Sequence, residues 1–135
     1  MKSVVTCLGR LRLLALIVGL GAVGCGSRPL QVGSVQLGRA VNEDGTVAKF
    51  TTTFKPNDKI YLSVLTTDLG SGTITVRWAY NGHPAGERSK AVSYKLAAAT
   101  EFQMESTEGF PVGPYTVDVL LDGKRVTTRS FNVEP

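Results

Sequence analysis

Apolar and polar residues alternate with a period of two along most of the chain after residue 34. Over residues 73–80, Ile74, Val76, Trp78 and Tyr80 fall on one face, and Thr73, Thr75, Arg77 and Ala79 on the other. Successive side chains of a strand point to opposite faces, so this is the pattern of a half-buried antiparallel strand. Residues 115–121 repeat it with Tyr115, Val117, Val119 and Leu121 inward. Asp122-Gly123 then supplies the positive-φ chemistry of a tight hairpin, and 126–133 returns as the partner strand. Weaker alternation marks Ile60, Leu62 and Val64 after the Pro56-Asn57-Asp58 turn, Val92, Tyr94 and Leu96, and Phe102 with Met104. Val35, Leu37 and Arg39 predict a first strand, and residues 49–54 another after the Asp44-Gly45 turn. Only Leu96-Ala97-Ala98-Ala99 hints at helix, and it is too short to nucleate one. Seven to eight short strands separated by turn signals predict an all-β, antiparallel β-sandwich.

The first 24 residues follow a different rule. Lys2, Arg10 and Arg12 precede an uninterrupted apolar run of about a dozen residues from Leu13, which closes on small residues. A basic start, an apolar middle and a small-residue end predict a cleaved export signal. A membrane span needs roughly 20 apolar residues, and this run is shorter and ends in glycines. The segment Leu20-Gly21-Ala22-Val23-Gly24-Cys25-Gly26-Ser27 resembles the lipobox of bacterial lipoproteins. That resemblance implies a diacylglycerol on the Cys25 thiol, cleavage just before it, and a membrane partner reached through the lipid. It departs from the family at Ala22, where leucine is commonest, and Ala22-Val23-Gly24 also satisfies ordinary signal cleavage, which would leave Cys25 as a free thiol. Gly26 follows the cysteine where no Asp stands, which in Gram-negative lipoproteins implies the outer membrane. The expected organisation is therefore a signal over 1–24, a lipidated cysteine and tether over 25–33, and one domain over 34–135.

Charge changes meaning once the signal is set aside. The 135 residues carry 15 Lys+Arg and 11 Asp+Glu, a formal +4. Three of those cations lie in the signal, so 12 remain against 11 acids and the exported chain is nearly neutral. Its cations are scattered among acids with no aromatic-interleaved stripe, so no nucleic acid is expected as partner. Cys7 leaves with the signal and Cys25 becomes a thioether on the lipoprotein reading, leaving no thiol for a disulfide, zinc site or nucleophile.

Residues 54–133 resemble the Ig-like and fibronectin type III-like β-sandwich domains of bacterial envelope proteins. Two landmarks carry the resemblance: Trp78 at the end of an alternating strand, and Gly113-Pro114-Tyr115-Thr116-Val117-Asp118-Val119-Leu120-Leu121-Asp122-Gly123 followed by Phe131-Asn132-Val133. It implies that Tyr115 stands near the tyrosine corner, its hydroxyl needing a backbone partner in the preceding bend.

No catalytic constellation accompanies this fold, and no enzyme activity, metal or other cofactor is expected. The single histidine, His83, lies in Asn81-Gly82-His83-Pro84-Ala85-Gly86, which reads as an exposed turn-rich loop. Asp44, Asp58 and Asp122 occupy turns, and Glu101 and Glu105 alternate outward. Asn42-Glu43-Asp44-Gly45 lacks the ligand spacing of a calcium loop. What remains is recognition by loops: residues 81–90 with His83, and 108–114 with Phe110, are the candidate contacts, Phe110 having core plugging as its competing role. The expectation is a non-catalytic binding or assembly module whose partner is another envelope protein. The alternative is a carbohydrate-binding accessory module or degenerate enzyme domain acting on envelope glycans, which requires exposed coplanar aromatics that Trp78 and Tyr80 would have to supply.

Overall fold

The computed structural model describes residues 28–135, so the expected signal over 1–24 and Cys25 lie outside the described residues. Eight strands follow in chain order: β1 Val32–Gly38, β2 Thr53–Phe54, β3 Ile60–Thr66, β4 Gly70–Tyr80, β5 His83–Tyr94, β6 Ala98–Met104, β7 Gly113–Leu121 and β8 Lys124–Val133. They form a three-stranded sheet, β1-β3-β6, and a five-stranded sheet, β2-β8-β7-β4-β5. Every pairing is antiparallel except the short parallel contact of β2 with β8. The chain changes sheet at every connection except the β4–β5 and β7–β8 hairpins. This is the all-β, Ig-like sandwich that the period-two pattern predicts.

The alternation works as expected where both sheets overlap. Ile74, Val76 and Trp78 of β4 and Tyr115, Val117 and Val119 of β7 face Leu62 and Val64 of β3 and Phe102 of β6 within one buried cluster. Removing a Val, Leu or Phe side chain from water contributes about 1.5–3 kcal/mol, so this seam supplies the main driving force for folding. Asn81-Gly82 and Asp122-Gly123 both place two successive residues at positive φ, the first pair at 50° and 81° and the second at 50° and 86°. That geometry matches the right-handed twist of the flanking strands.

Two expectations are corrected. Residues 28–33 are not a free tether. Leu30 is buried in the core, Pro29 pairs with Ser71, and the Ser71 amide donates to the Arg28 carbonyl at 2.9 Å. The packed domain therefore begins before residue 34, because a single apolar residue found a hole in the sandwich end. Residues 49–54 do not make a continuous strand either. Only Thr53–Phe54 pairs in the larger sheet, while Phe50 bridges back to Gly38.

The segment between β1 and β2 folds over the outer face of the smaller sheet. Residues 39–51 close on themselves through Arg39 N to Lys49 O at 2.9 Å, Ala48 N to Ala40 O at 2.8 Å and Asn42 N to Thr46 O at 2.7 Å. Val47 is buried beneath this flap, and its amide donates to Gln36 Oε1 at 3.0 Å. The Ser63 hydroxyl, fully buried on the outer face, donates to the Gly45 carbonyl. Asp44 caps the flap's turn by accepting from the Thr46 hydroxyl and amide.

Arg39 secures the flap's base. Its guanidinium donates to Asp58 Oδ2 at 2.9 Å and to the Thr53 carbonyl at 2.8 Å. The Lys55 amide donates to the same Asp58 oxygen at 2.7 Å. That backbone hydrogen bond first, and Arg39 second, hold the Asp58 carboxyl below its ordinary value of 3.8. A carboxyl whose folded pKa is depressed contributes stability above its unfolded pKa and loses it as pH falls through the folded value. Asp58→Asn is therefore expected to cost about 1 kcal/mol at pH 7. Urea unfolding of the two proteins should converge once pH falls well below 3.8; a gap that persists in acid would show that charge and hydrogen bonding at Asp58 are not its origin.

Candidate functional site

The two loops singled out in the sequence meet at one end of the sandwich, though not in the form expected. The segment 81–90 is not a loop. Asn81-Gly82 is the whole turn, and the chain re-enters as β5 at His83, which pairs with Tyr80. The reason the strand was illegible is physical: β5 is exposed over residues 83–91, so no buried face imposes an alternation of apolar residues. His83 is exposed at the first strand position, with no side-chain hydrogen bond among the described residues.

The 108–114 segment packs against that turn. The Tyr80 hydroxyl donates to the Val112 carbonyl at 2.8 Å, and the Asn81 amide to the Pro114 carbonyl at 3.0 Å. The Tyr115 hydroxyl donates to the Pro111 carbonyl at 2.9 Å, the backbone partner in the preceding bend that its position implied. Burial, and then the neighbouring Tyr80, raise the Tyr115 pKa, so the phenol stays a donor at neutral pH. Phe110 does not join His83 on the surface. It is 9% exposed and meets Tyr115 edge-on at 6.3 Å. Tyr115 stacks on Phe131 at 5.0 Å, and Phe131 meets Phe54 edge-on at 5.5 Å. Phe110 ends a run of packed rings, Phe110–Tyr115–Phe131–Phe54, at this end of the sandwich, so it fills its competing core role and is not a surface contact.

β5 carries the more informative surface. It runs twelve residues along one edge of the five-stranded sheet, hydrogen-bonded to β4 on one side only. Its outward positions are tied to β4 by side chains: Glu87 accepts from Arg77 at 2.8 Å, and Ser89 meets the Thr75 hydroxyl at 2.8 Å. Its inward positions are cationic. Lys90 pairs with the buried Ile74 and Arg88 with the buried Val76, so both side chains share the core-facing side of the sheet. The Lys90 ammonium reaches the Glu101 carbonyl on β6 and stands 5.0 Å from the Phe102 ring centroid. On the opposite flank Arg129, paired with the buried Val117, reaches the Val35 carbonyl on β1. Each open side of the sandwich is thus closed by an inward cation donating to a carbonyl of the facing sheet. Inward charges on edge strands discourage indiscriminate edge-to-edge pairing without covering the edge. Sequence reasoning missed both residues, although a cation in the inward phase of an alternating strand was a readable signal for Arg129.

Chemical sites are not assembled elsewhere among the described residues. A depression of about 510 Å³, open to solvent, lies between Asp44, Leu65, Tyr94 and Ala97–Ala99. Its one acid, Asp44, is held below the ordinary carboxylate range by the Thr46 hydroxyl, then by the Thr46 amide, and so serves its turn. Among the described residues no three His, Cys, Asp or Glu side chains converge to hold a metal ion, and no helix is long and apolar enough to cross a membrane. Trp78, which a glycan platform would need at the surface, is 4% exposed. Phe50 is the one aromatic among the exposed large hydrophobic side chains of the described residues.

Comparison with known proteins adds the fold and no more. No protein-family model matches the chain, and no curated protein matches it in sequence. An immunoglobulin-like protein from Pseudomonas aeruginosa is similar in structure, with a TM-score of 0.52 at 14% identity, over 81% of this chain and 97% of that one. A Pseudomonas fluorescens alkylpurine DNA glycosylase bound to DNA reaches 0.48 at 14% identity, covering 75% of this chain. A Listeria innocua β-glucosidase reaches 0.49 at 12% identity, covering 81% of this chain. The chain spans only 30% of the DNA glycosylase and 16% of the β-glucosidase. At these identities the likeness is one of architecture, and the fold hosts many functions. The chain is an Ig-like β-sandwich module.

Proposed function

We propose that this module is a non-catalytic recognition element of a bacterial cell envelope, anchored by lipid at Cys25 and engaging an extended segment of another envelope protein. The observation that carries the recognition half is the edge of β5, a long exposed strand whose outer backbone groups have no strand partner among the described residues. A sheet edge of this kind accepts a peptide by strand addition, main-chain hydrogen bonds giving affinity and alternate side chains giving selectivity. Arg88 and Lys90 on the inward side favour a segment that places a carboxylate opposite them. The anchoring half is supported by the Cys25 sequence context, since each buried methylene adds about 0.8 kcal/mol and two acyl chains hold a protein stably.

The two halves separate experimentally. Full-length protein made in a bacterial host with labelled palmitate should carry the label in the membrane fraction, and Cys25→Ala should lose both label and membrane association. Label retained by Cys25→Ala removes the anchor from the reading. A photo-crosslinking residue at Ser89 should capture one envelope protein in intact cells, with a yield at least tenfold above the same residue at Ser130, exposed on β8. Equal yields at the two positions remove β5.

A further inference from the structure

The lipid-anchor reading, on which this inference rests, gains a geometric consequence from the way the chain enters the sandwich. Arg28 is already stitched to the domain through the Ser71 amide, and Leu30 returns a bond to the Ser71 carbonyl at 3.3 Å. Between Cys25 and Arg28 stand only Gly26 and Ser27. Three residue steps span at most about 10 Å when fully extended. The headgroup layer outside the hydrocarbon is itself about 5–7 Å thick. An acylated Cys25 thus holds this end of the sandwich close to the headgroups, with only a few ångströms of tether left beyond their layer.

The same end carries two exposed leucine side chains. Leu69, between β3 and β4, is 43% exposed, and Leu96, between β5 and β6, is 77% exposed. Cations flank them. Arg28 and Lys95 line one shallow groove with Leu69, and Lys124 starts β8 at the same end. The nearby acids are partly spoken for: Asp68 faces Arg28 at 3.8 Å and caps the Leu69 amide, and Asp122 accepts from the Thr73 amide. Asp44 borders the depression that also holds Tyr94 and Ala97, its carboxylate engaged by Thr46. Exposed leucines rimmed by Lys and Arg are the chemistry of an interfacial contact, where apolar groups enter the acyl boundary and cations meet phosphates.

We infer that Leu69 and Leu96, flanked by Arg28 and Lys95, form a membrane-contact end that docks the sandwich on anionic phospholipid and fixes its orientation. Docked this way, β5 rises from the bilayer with Tyr94 near the surface and His83 farthest from it. Its twelve residues span roughly 40 Å at the rise of an extended strand. The free edge is then presented upright to a partner rather than lying on the lipid.

The test uses the full-length acylated protein reconstituted in vesicles of phosphatidylcholine with a third phosphatidylglycerol and a headgroup nitroxide. A fluorophore on Ala97→Cys, beside Leu96, is compared with one on His83→Cys at the opposite end, an exposed position at the start of β5. Quenching at position 97 should exceed that at position 83 at least fivefold. Adding Leu69→Asp and Leu96→Asp together should cut that excess at least twofold while acylation and the emission of Trp78 stay unchanged; an excess left intact would show that the tether alone sets the orientation and would overturn the leucine contact. Acylated, vesicle-bound protein with equal quenching at both positions overturns the docked orientation and leaves the anchor standing. A chain that takes no acyl group overturns the anchor and this inference with it.

Discussion

Replacing Trp78 by alanine is expected to cost about 3–5 kcal/mol, the usual loss when a large aromatic leaves a close-packed core. Trp78 is 4% exposed within the main cluster, and it sits on β4 opposite Val117 of β7 and Gly86 of β5. The cavity it leaves lies on the core face of β4, the penultimate strand of the five-stranded sheet, where backbone pairing on both sides resists collapse. A domain of this size is stable by about 5–15 kcal/mol in total, so the melting temperature should fall by roughly 15–25 °C. Phe50→Ala, at a position 66% exposed, is the control and should stay within about 0.5 kcal/mol. Urea titrations followed by far-ultraviolet circular dichroism read both. A Trp78→Ala loss under about 1 kcal/mol would mean the indole is not buried between the sheets. Because Trp78 is the only tryptophan in the chain, the wild-type emission maximum and its resistance to acrylamide check the same burial without any mutation.

The second large effect is predicted at Gly38. A Cβ there would stand 2.1 Å from the Lys49 carbonyl oxygen and 2.4 Å from Val47 Cγ1. Neither distance is tolerable, and the first contact is with backbone, which has nowhere to move while Arg39 N remains bonded to Lys49 O. Gly38→Ala should therefore lift the flap from the outer face of β3 and β6, at a cost of about 3 kcal/mol, the upper part of the range for overpacking. Amides of Arg39, Val47 and Ala48 should lose hydrogen-exchange protection before the rest of the domain does. Gly86→Ala is the matched control, since its Cβ would meet only Trp78 Cε3 at an ordinary 3.7 Å. Unchanged protection in Gly38→Ala would show that the flap does not lie so close to β1.

The contrast between these two positions shows how much was legible in residue order. Trp78 was readable because β4 is covered on one face and wet on the other, which writes the core into a local alternation of residue types. Gly38 was not readable, since what crowds it comes from a segment that returns ten residues later by a route set outside β1 itself. The candidate site divides in the same way. Tyr115 and its carbonyl partner follow from a bend and a strand adjacent in sequence. β5, by contrast, has no covered face over residues 83–91 to enforce a pattern, so its residues look like a loop although their backbone pairs throughout with β4.

The chain by itself determined the class of fold and the tight hairpin turn at Asp122-Gly123, because period and turn chemistry are both local properties. Tertiary structure alone decided that Leu30 belongs to the core, that Phe110 plugs an end, and that the 39–51 flap covers a sheet. It also decided that Lys90 and Arg129 bolt the open sides. Each of these depends on which distant surface is left uncovered once the sheets have paired, and burying that surface is a free-energy gain that no short stretch of sequence contains.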